Sequence, residues 1–381
     1  MKKIGKVINF IIITTIIVLL FNTCEQSTDE IPNPPIIVSG TNWNEKMLWL
    51  FTNAQSGNEY IIELHSDECI ELTHFSFIGK KNIKITLKGI GATRIISLNT
   101  RGPLFIVGSG SGNVNSFTEV TLNLEKNLEL RGINNNYTPL IIVYSGSNLI
   151  LNDNVKIIKN TNTATSMPSG GGGIFVTINS SFTMNGGEIS ENTLSTSVGY
   201  SSDLMGGGVS VSGIFIMNGG IISKNNSASS ASPTAKGGGV SVSVSGTFIM
   251  NDGEISGNSS SSSGSSYGGG IFIAGTFIMN GGIISGNTAA GSAANGGGIY
   301  INRSIFNKTH GIIFGYTEGD INSNVVKNTS GIIQQNRGHA IHVEHENSIY
   351  IMRKNTTSDL TQSLYFNGNT NPPVWSGDWD Y

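Results

Sequence analysis

A repeat constrains this chain more than any other feature. A GGG-[IV]-x-[IV] unit begins at Gly171, Gly206, Gly237, Gly268 and Gly296, and an F-x-M-N-[GD]-G unit begins at Phe182, Phe215, Phe248 and Phe277. Each copy is closed by an asparagine: Asn192, Asn225, Asn258 and Asn287. From the first glycine to that asparagine the copies run 22, 20, 22 and 20 residues. The two-residue difference falls before the Phe, and an even insertion keeps every side chain on its own face of a strand. Ile174, Val176, Phe182 and Met184 therefore share one parity, as do Ile271, Ile273, Phe277 and Met279. The positions between them are mostly small or polar, Ser210, Ser241, Thr183 and Thr276 among them, although Phe175 and Phe272 are not. A period of two means strands with one buried face.

Such a unit cannot close a core alone and gains one only by stacking on its neighbours. The expected fold is all-β: a single-stranded right-handed parallel β-helix, one coil per repeat. Phe would stack on Phe and Met on Met, with Ile189, Ile222, Ile255 and Ile284 in file inside. Weaker coils extend both ways, through "NIKITLKGIG", "PLFIVGSG", "VTLNLEKNLELRG" and "LILNDNVKIIKN" upstream and "FNKTHGIIFGYT" downstream, where Thr309 and Tyr316 replace the two asparagines. Residues 36–370 at about 30 per coil give roughly ten coils.

Glycine suits corners that need positive φ. Asn185, Asn218, Asn251 and Asn280, in register at a turn, are placed to form an amide ladder that serves corner backbone groups. Phosphate cradling is excluded, because no G-x-x-x-x-G-K-[ST] is present and the glycines open strands. The Ser-, Ala- and Gly-rich linkers 193–205, 226–236, 259–267 and 288–295 are expected to project as a row of loops, either binding elements or solvated filler. Open sheet ends invite pairing and need covers. At one end Asn42 and Glu45 fit a capping box for a short helix whose apolar face is Trp43, Met47, Leu50 and Phe51. At the other, Trp375 and Trp379 are placed to plug the last coil.

The beginning of the chain reads as an address. Lys2, Lys3 and Lys6 precede an apolar run from Val7 to Phe21, the pattern of a secretory signal over residues 1–23. As a helix that run would span about 22 Å, short of a hydrocarbon core about 30 Å thick, so an uncleaved anchor is the lesser alternative. Cys24 stands where a bacterial lipoprotein is cleaved and acylated, although Phe21 and Asn22 depart from the usual Leu and small residue. Residues 24–35 form a polar, Pro-rich tether, and residues 36–381 form the β-helix domain, its clearest repeats over 171–301. With Cys24 lipidated, only Cys69 remains, so no internal disulfide is possible.

At these motifs the chain resembles known families. GGG-[IV] paired with F-x-M-N is similar to the GGA-[ILV] and F-x-x-N repeats of chlamydial polymorphic outer-membrane proteins, whose passenger domains are β-helical. "NIKITLKGIG", the "GTFIMNGGIISGN" coils and a closing "GHAIHV" together resemble repetitive treponemal surface lipoproteins. The resemblance covers about residues 40–350. It implies surface display or adhesion, with the membrane as partner through a lipid anchor and a host matrix protein or glycan as ligand. No C-terminal stretch looks like an autotransporter barrel, although the chain ends in the aromatic Tyr381.

Chemistry is sparse. Charged residues are 12% of the chain, the formal net charge is −3, and no Lys/Arg cluster makes the basic stripe that nucleic acid needs. Parallel β-helices also host polysaccharide lyases and hydrolases, which need clustered carboxylates. Between Gly171 and Ile301 the charged residues number seven: Glu188, Glu191, Asp203, Lys224, Lys236, Asp252 and Glu254. Glu188 and Glu254 hold equivalent positions two coils apart, about 10 Å and beyond an inverting carboxylate pair, with Ile221 between them. His339, His342 and His345, with Glu344 and Glu346, have the composition of a metal cluster. On a strand, however, His342 faces away from the other two. No catalytic, cofactor-binding or metal-ligating residue is assigned and no cofactor is expected. The sequence points to a lipid-anchored, adhesin-like or antigenic surface protein without enzymatic activity. A polysaccharide-active enzyme or a purely structural envelope protein are the alternatives.

Overall fold

A computed structural model describes residues 33–109, 118–163, 170–196, 203–230, 234–344, 351–355, 363–369 and 374–379. The expected signal segment, Cys24 and most of the expected tether lie outside the described residues.

Residues 35–381 form one compact unit, a parallel β-solenoid. Each coil passes through three strands in turn. The F-x-M strands build sheet I, the following Ile-centred strands sheet II, and the strands after each GGG sheet III. Sheet II has nine strands, from Glu68–Ile70 to Ile312–Ile313, and they define nine coils. Register in sheet I aligns Phe182, Phe215, Phe248, Phe277 and Phe306, and one file further Met184, Met217, Met250 and Met279. Successive Phe centroids lie 4.7, 4.7, 4.9 and 5.6 Å apart. That is the inter-strand spacing itself, so one backbone repeat also sets an offset aromatic stack. Ile157, Ile189, Ile222, Ile255 and Ile284 form the matching file of sheet II, and all of these side chains are buried.

The three glycines of each GGG do different work, as the copy at Gly268 illustrates. Gly268 takes φ +69°, the left-handed region in which a Cβ clashes. A Cβ on Gly269 would lie 2.3 Å from the Thr288 backbone and 2.4 Å from the Gly297 carbonyl of the next coil. One on Gly270 would lie 2.9 Å from the side chain of Asn287, filling the space that asparagine occupies.

The linkers depart from expectation. Their described residues do not project as loops but pair coil to coil in two further parallel sheets. Sheet IV runs from Thr161–Asn162 through Thr193–Thr196, Asn226–Ser229, Ser259–Ser262 and Thr288–Ala290 to Val325–Lys327. Sheet V holds the returning strands Leu204–Met205, Ala235–Lys236, Ser265–Tyr267 and Ala293–Asn295. The two sheets close on a thin interior of small side chains, where Ser260 and Ser266 share a buried 2.7 Å hydroxyl hydrogen bond and Ala289 packs with Ala294 and Val326. Serine is common here because two sheets can approach closely only over small residues. The returning strands also help cover the outer face of sheet III: Lys236 lies over the Phe272 ring, and Tyr267 stacks on Tyr300 at 4.4 Å. Ser210, Ser241 and Phe272, of outward parity, are buried as a result.

Both ends are covered. The helix Trp43–Asn53 caps the first coil, with the Asn42 side chain accepting from the Glu45 amide at 3.0 Å. Glu45 reaches past Asn42, accepting from the amide and hydroxyl of Thr41 at 2.8 and 2.7 Å. The buried face is Trp43, Met47 and Leu50, while Phe51 is turned outward. Trp43 stacks on Phe105 and donates to the Thr73 hydroxyl. At the far end Leu364–Asn367 and Val374–Ser376 add to sheet I antiparallel, bringing Trp375 and a buried Trp379 onto the core as anticipated. Ile351–Lys354 closes sheet III in the same way, a strand the repeat pattern does not foretell.

Candidate interaction surface

Two asparagine ladders run the length of the clearest repeats, with opposite characters. The inner one uses the asparagine that closes each copy. Asn192, Asn225, Asn258 and Asn287 each donate from Nδ2 to the Oδ1 of the next coil's asparagine, at 3.1, 3.0, 3.0 and 2.9 Å. The same Nδ2 atoms donate to the carbonyls of Ile157, Ile189, Ile222 and Ile255 in the preceding coil. Each Oδ1 also accepts the backbone N–H of the preceding asparagine. At Asn225, Asn258 and Asn287 every amide valence is used, and the ladder is buried. It ends at Asn324 rather than Tyr316: the chain inserts residues after Ile313 before rejoining the ladder, and Tyr316 packs on His339 instead.

The outer ladder stands at the corner between sheets I and II. Asn185, Asn218, Asn251 and Asn280 donate to the asparagine of the preceding coil at 2.9, 2.9, 2.8 and 2.9 Å, and Thr309 closes the row with a 3.3 Å bond to Asn280. These amides form as expected, but their partners are one another rather than corner backbone groups. They are exposed, so each rung keeps one N–H and one lone pair for solvent or a ligand, repeated every coil.

Beside this ladder the outer face of sheet I is uncharged through the middle coils. Ile150, Thr183, Ile216, Ile249 and Ile278 form one file in register. Asn148, Ser181, Ile214, Thr247 and Thr276 form the next. Across the corner, sheet II presents the file Lys156, Glu188, Ile221, Glu254 and Ile283. The result is a lateral face of half-exposed aliphatic side chains on sheet I, edged by hydroxyls and amides and, across the corner, by Lys156, Glu188 and Glu254.

The residues that could have carried catalysis are placed otherwise. Ile221 separates Glu188 from Glu254 in register, as the spacing requires. Partial burial works against the charge of Glu188, but the Ser190 hydroxyl at 2.6 Å and the Lys156 ammonium at 3.0 Å outweigh it and hold its carboxyl below the usual range. A glycosidase general acid needs the reverse. Among the histidines, His345 and Glu346 lie outside the described residues. His339 Nδ1 accepts from the Val326 amide at 3.1 Å, and His342 stacks on Tyr300 at 5.2 Å. Glu344 accepts from the Tyr300 hydroxyl. Among the described residues no group of three His, Cys, Asp or Glu side chains is placed to hold a metal ion.

No protein-family model, no curated protein and no solved structure matches this chain. The lateral face is therefore read from its own geometry. Sequence reasoning picked out the outer asparagines and the files inside the coils. It missed the role of the closing asparagines, although their fixed place after the buried Ile in every copy was the signal for it.

Proposed function

We propose that this protein is exported, anchored to the membrane through a lipid on Cys24, and displayed at the cell surface as a non-enzymatic, adhesin-like solenoid. The lateral face of sheet I and the outer asparagine ladder bind the ligand, a matrix protein or glycan. The observation that carries this reading is the continuity of that face: repeating donors, acceptors and aliphatic groups over successive coils, on a backbone too regular to reorganise. Such a surface recognises an extended ligand by repetition, each coil adding a weak contact. The sparse charge along the coils agrees with binding by shape and hydrogen bonds rather than by long-range attraction.

Protease digestion of intact producing cells tests the placement, with a periplasmic protein followed as control. Display requires this protein to be cut while the control survives. Survival of both until lysis would remove the adhesin reading and favour a periplasmic structural or glycan-processing role.

A further inference from the structure

Fifteen large apolar side chains are exposed among the described residues, and six of them belong to the first coil or its cap: Ile36, Ile37, Leu48, Phe51, Leu72 and Ile78. Of the other nine, Ile321, Ile332 and Val374 lie in the ninth coil and its C-terminal cover, and six are spread over the coils between. Leu48 is 71% exposed and Ile78 80%, far beyond what an end cap buried against its own coil requires. Several of these positions adjoin one another. Leu48 and Phe51 are three residues apart on the helix and so share a face. Phe51 touches Phe77, next to Ile78, at a ring separation of 5.5 Å. Phe51 and Leu72 line one cleft of about 550 Å³ between the helix and the first coil. An exposed apolar group of this kind at one end of a soluble body marks a contact surface.

The chain itself indicates what that surface meets. The structure begins at this end, with Ile36–Ile37 pairing against Tyr60–Ile61 of the first coil. The apolar run Val7–Phe21 and Cys24 lie immediately upstream. The twelve residues 24–35 can reach at most about 40 Å, so an anchor at Cys24 keeps this end within that distance of the lipid. A short linker of that kind raises the effective concentration of one partner at the other to about the millimolar range. Even a weak contact is then well populated. We infer that the N-terminal cap docks on the bilayer surface, with Leu48, Phe51, Leu72 and Ile78 entering the interfacial region and fixing how the solenoid stands on the membrane. The inference rests on the lipid-anchored reading above. Its expected depth is that of an interfacial helix, about 5–10 Å into the headgroup boundary.

The test uses the full-length protein, reconstituted through its own N-terminus into phosphatidylethanolamine–phosphatidylglycerol vesicles with brominated acyl chains. Ile78→Trp and Leu48→Trp report on the cap. Ile321→Trp, at a site 90% exposed in the ninth coil, reports on a point about 38 Å further along the axis. Docking predicts that the added cap emission is quenched at least threefold more than that of the Ile321→Trp protein, and that Ile78→Lys with Leu72→Lys abolishes the quenching of the Leu48→Trp reporter. Equal, low quenching at all three sites in protein that still floats with the vesicles would overturn the inference and leave the anchor intact. Failure to float would remove the anchor and the inference together. A cap signal that follows protein concentration rather than lipid would assign this surface to a second copy and overturn it as well.

Discussion

At the scale of single residues, one amino acid serves two ends. Asn225 and Asn218 stand seven positions apart in the same copy, and both belong to ladders with spacings near 3 Å. Asn225 is buried and bonds on both sides of its amide, so Asn225→Ala orphans the backbone N–H of Asn192, removes the ladder partner of the Asn192 side chain and takes one bond from the Ile189 carbonyl. A loss of about 3 kcal/mol is expected, measured by chemical denaturation. Asn218 bonds only its neighbours in the outer ladder, and Asn218→Ala should cost about 1 kcal/mol or less. Equal losses would show that the inner ladder has no special structural role. Gly269→Ala is a sharper case. The added methyl meets Thr288 and Gly297 backbone on two sides, neither of which can yield alone, and the overpacking should cost about 3 kcal/mol.

At the scale of elements, what was legible in the sequence was whatever repeats with large side chains. The Phe, Met and Ile files needed only parity and spacing. The side sheets IV and V were hidden because their interior is serine and alanine, and a Ser-rich segment between glycines reads as a loop. Only the register of the preceding strands, carried through each linker, turns those segments into ladders. The claim is testable within that interior: Ser260→Leu should force sheets IV and V apart, lowering stability by about 2 kcal/mol through overpacking, with the loss read in thermal unfolding. A solvated loop would show no change.

The C-terminal cover was equally hard to read, since antiparallel closing strands follow no repeat. Burial holds its imidazoles below the usual value of 6.5, His339 at about 4 and His342 at about 3, with the Arg353 and Arg337 guanidiniums adding to the effect at His342. Tyr300, Tyr316 and Glu344 are further titratable groups packed there. The folded end therefore stays unprotonated while the unfolded chain takes up protons below pH 6.5. Stability is at its plateau above that pH and falls as pH drops from 6.5 toward 3–4. His342→Phe, which keeps a ring against Tyr300, should flatten the decline of melting temperature between pH 7 and 5. An unchanged slope would place the acid sensitivity elsewhere.

At the scale of the molecule, the nine coils are a sum of nearest-neighbour contacts, each coil bonded to the one before and the one after. That design extends a surface without adding a core, and here it extends the uncharged lateral face of sheet I and its outer ladder. The sequence made the scaffold readable because stacking demands repetition. It left the ligand unread because repetition alone names none. The proposed function places ligand binding on this face. The most direct measurement compares adhesion to a panel of matrix proteins and glycans by cells displaying the wild-type protein with adhesion by cells displaying Ile249→Lys with Asn251→Asp, at equal surface amount and equal melting temperature. The account predicts saturable binding by the first and at least a tenfold loss by the second. Undiminished binding by the variant would contradict it.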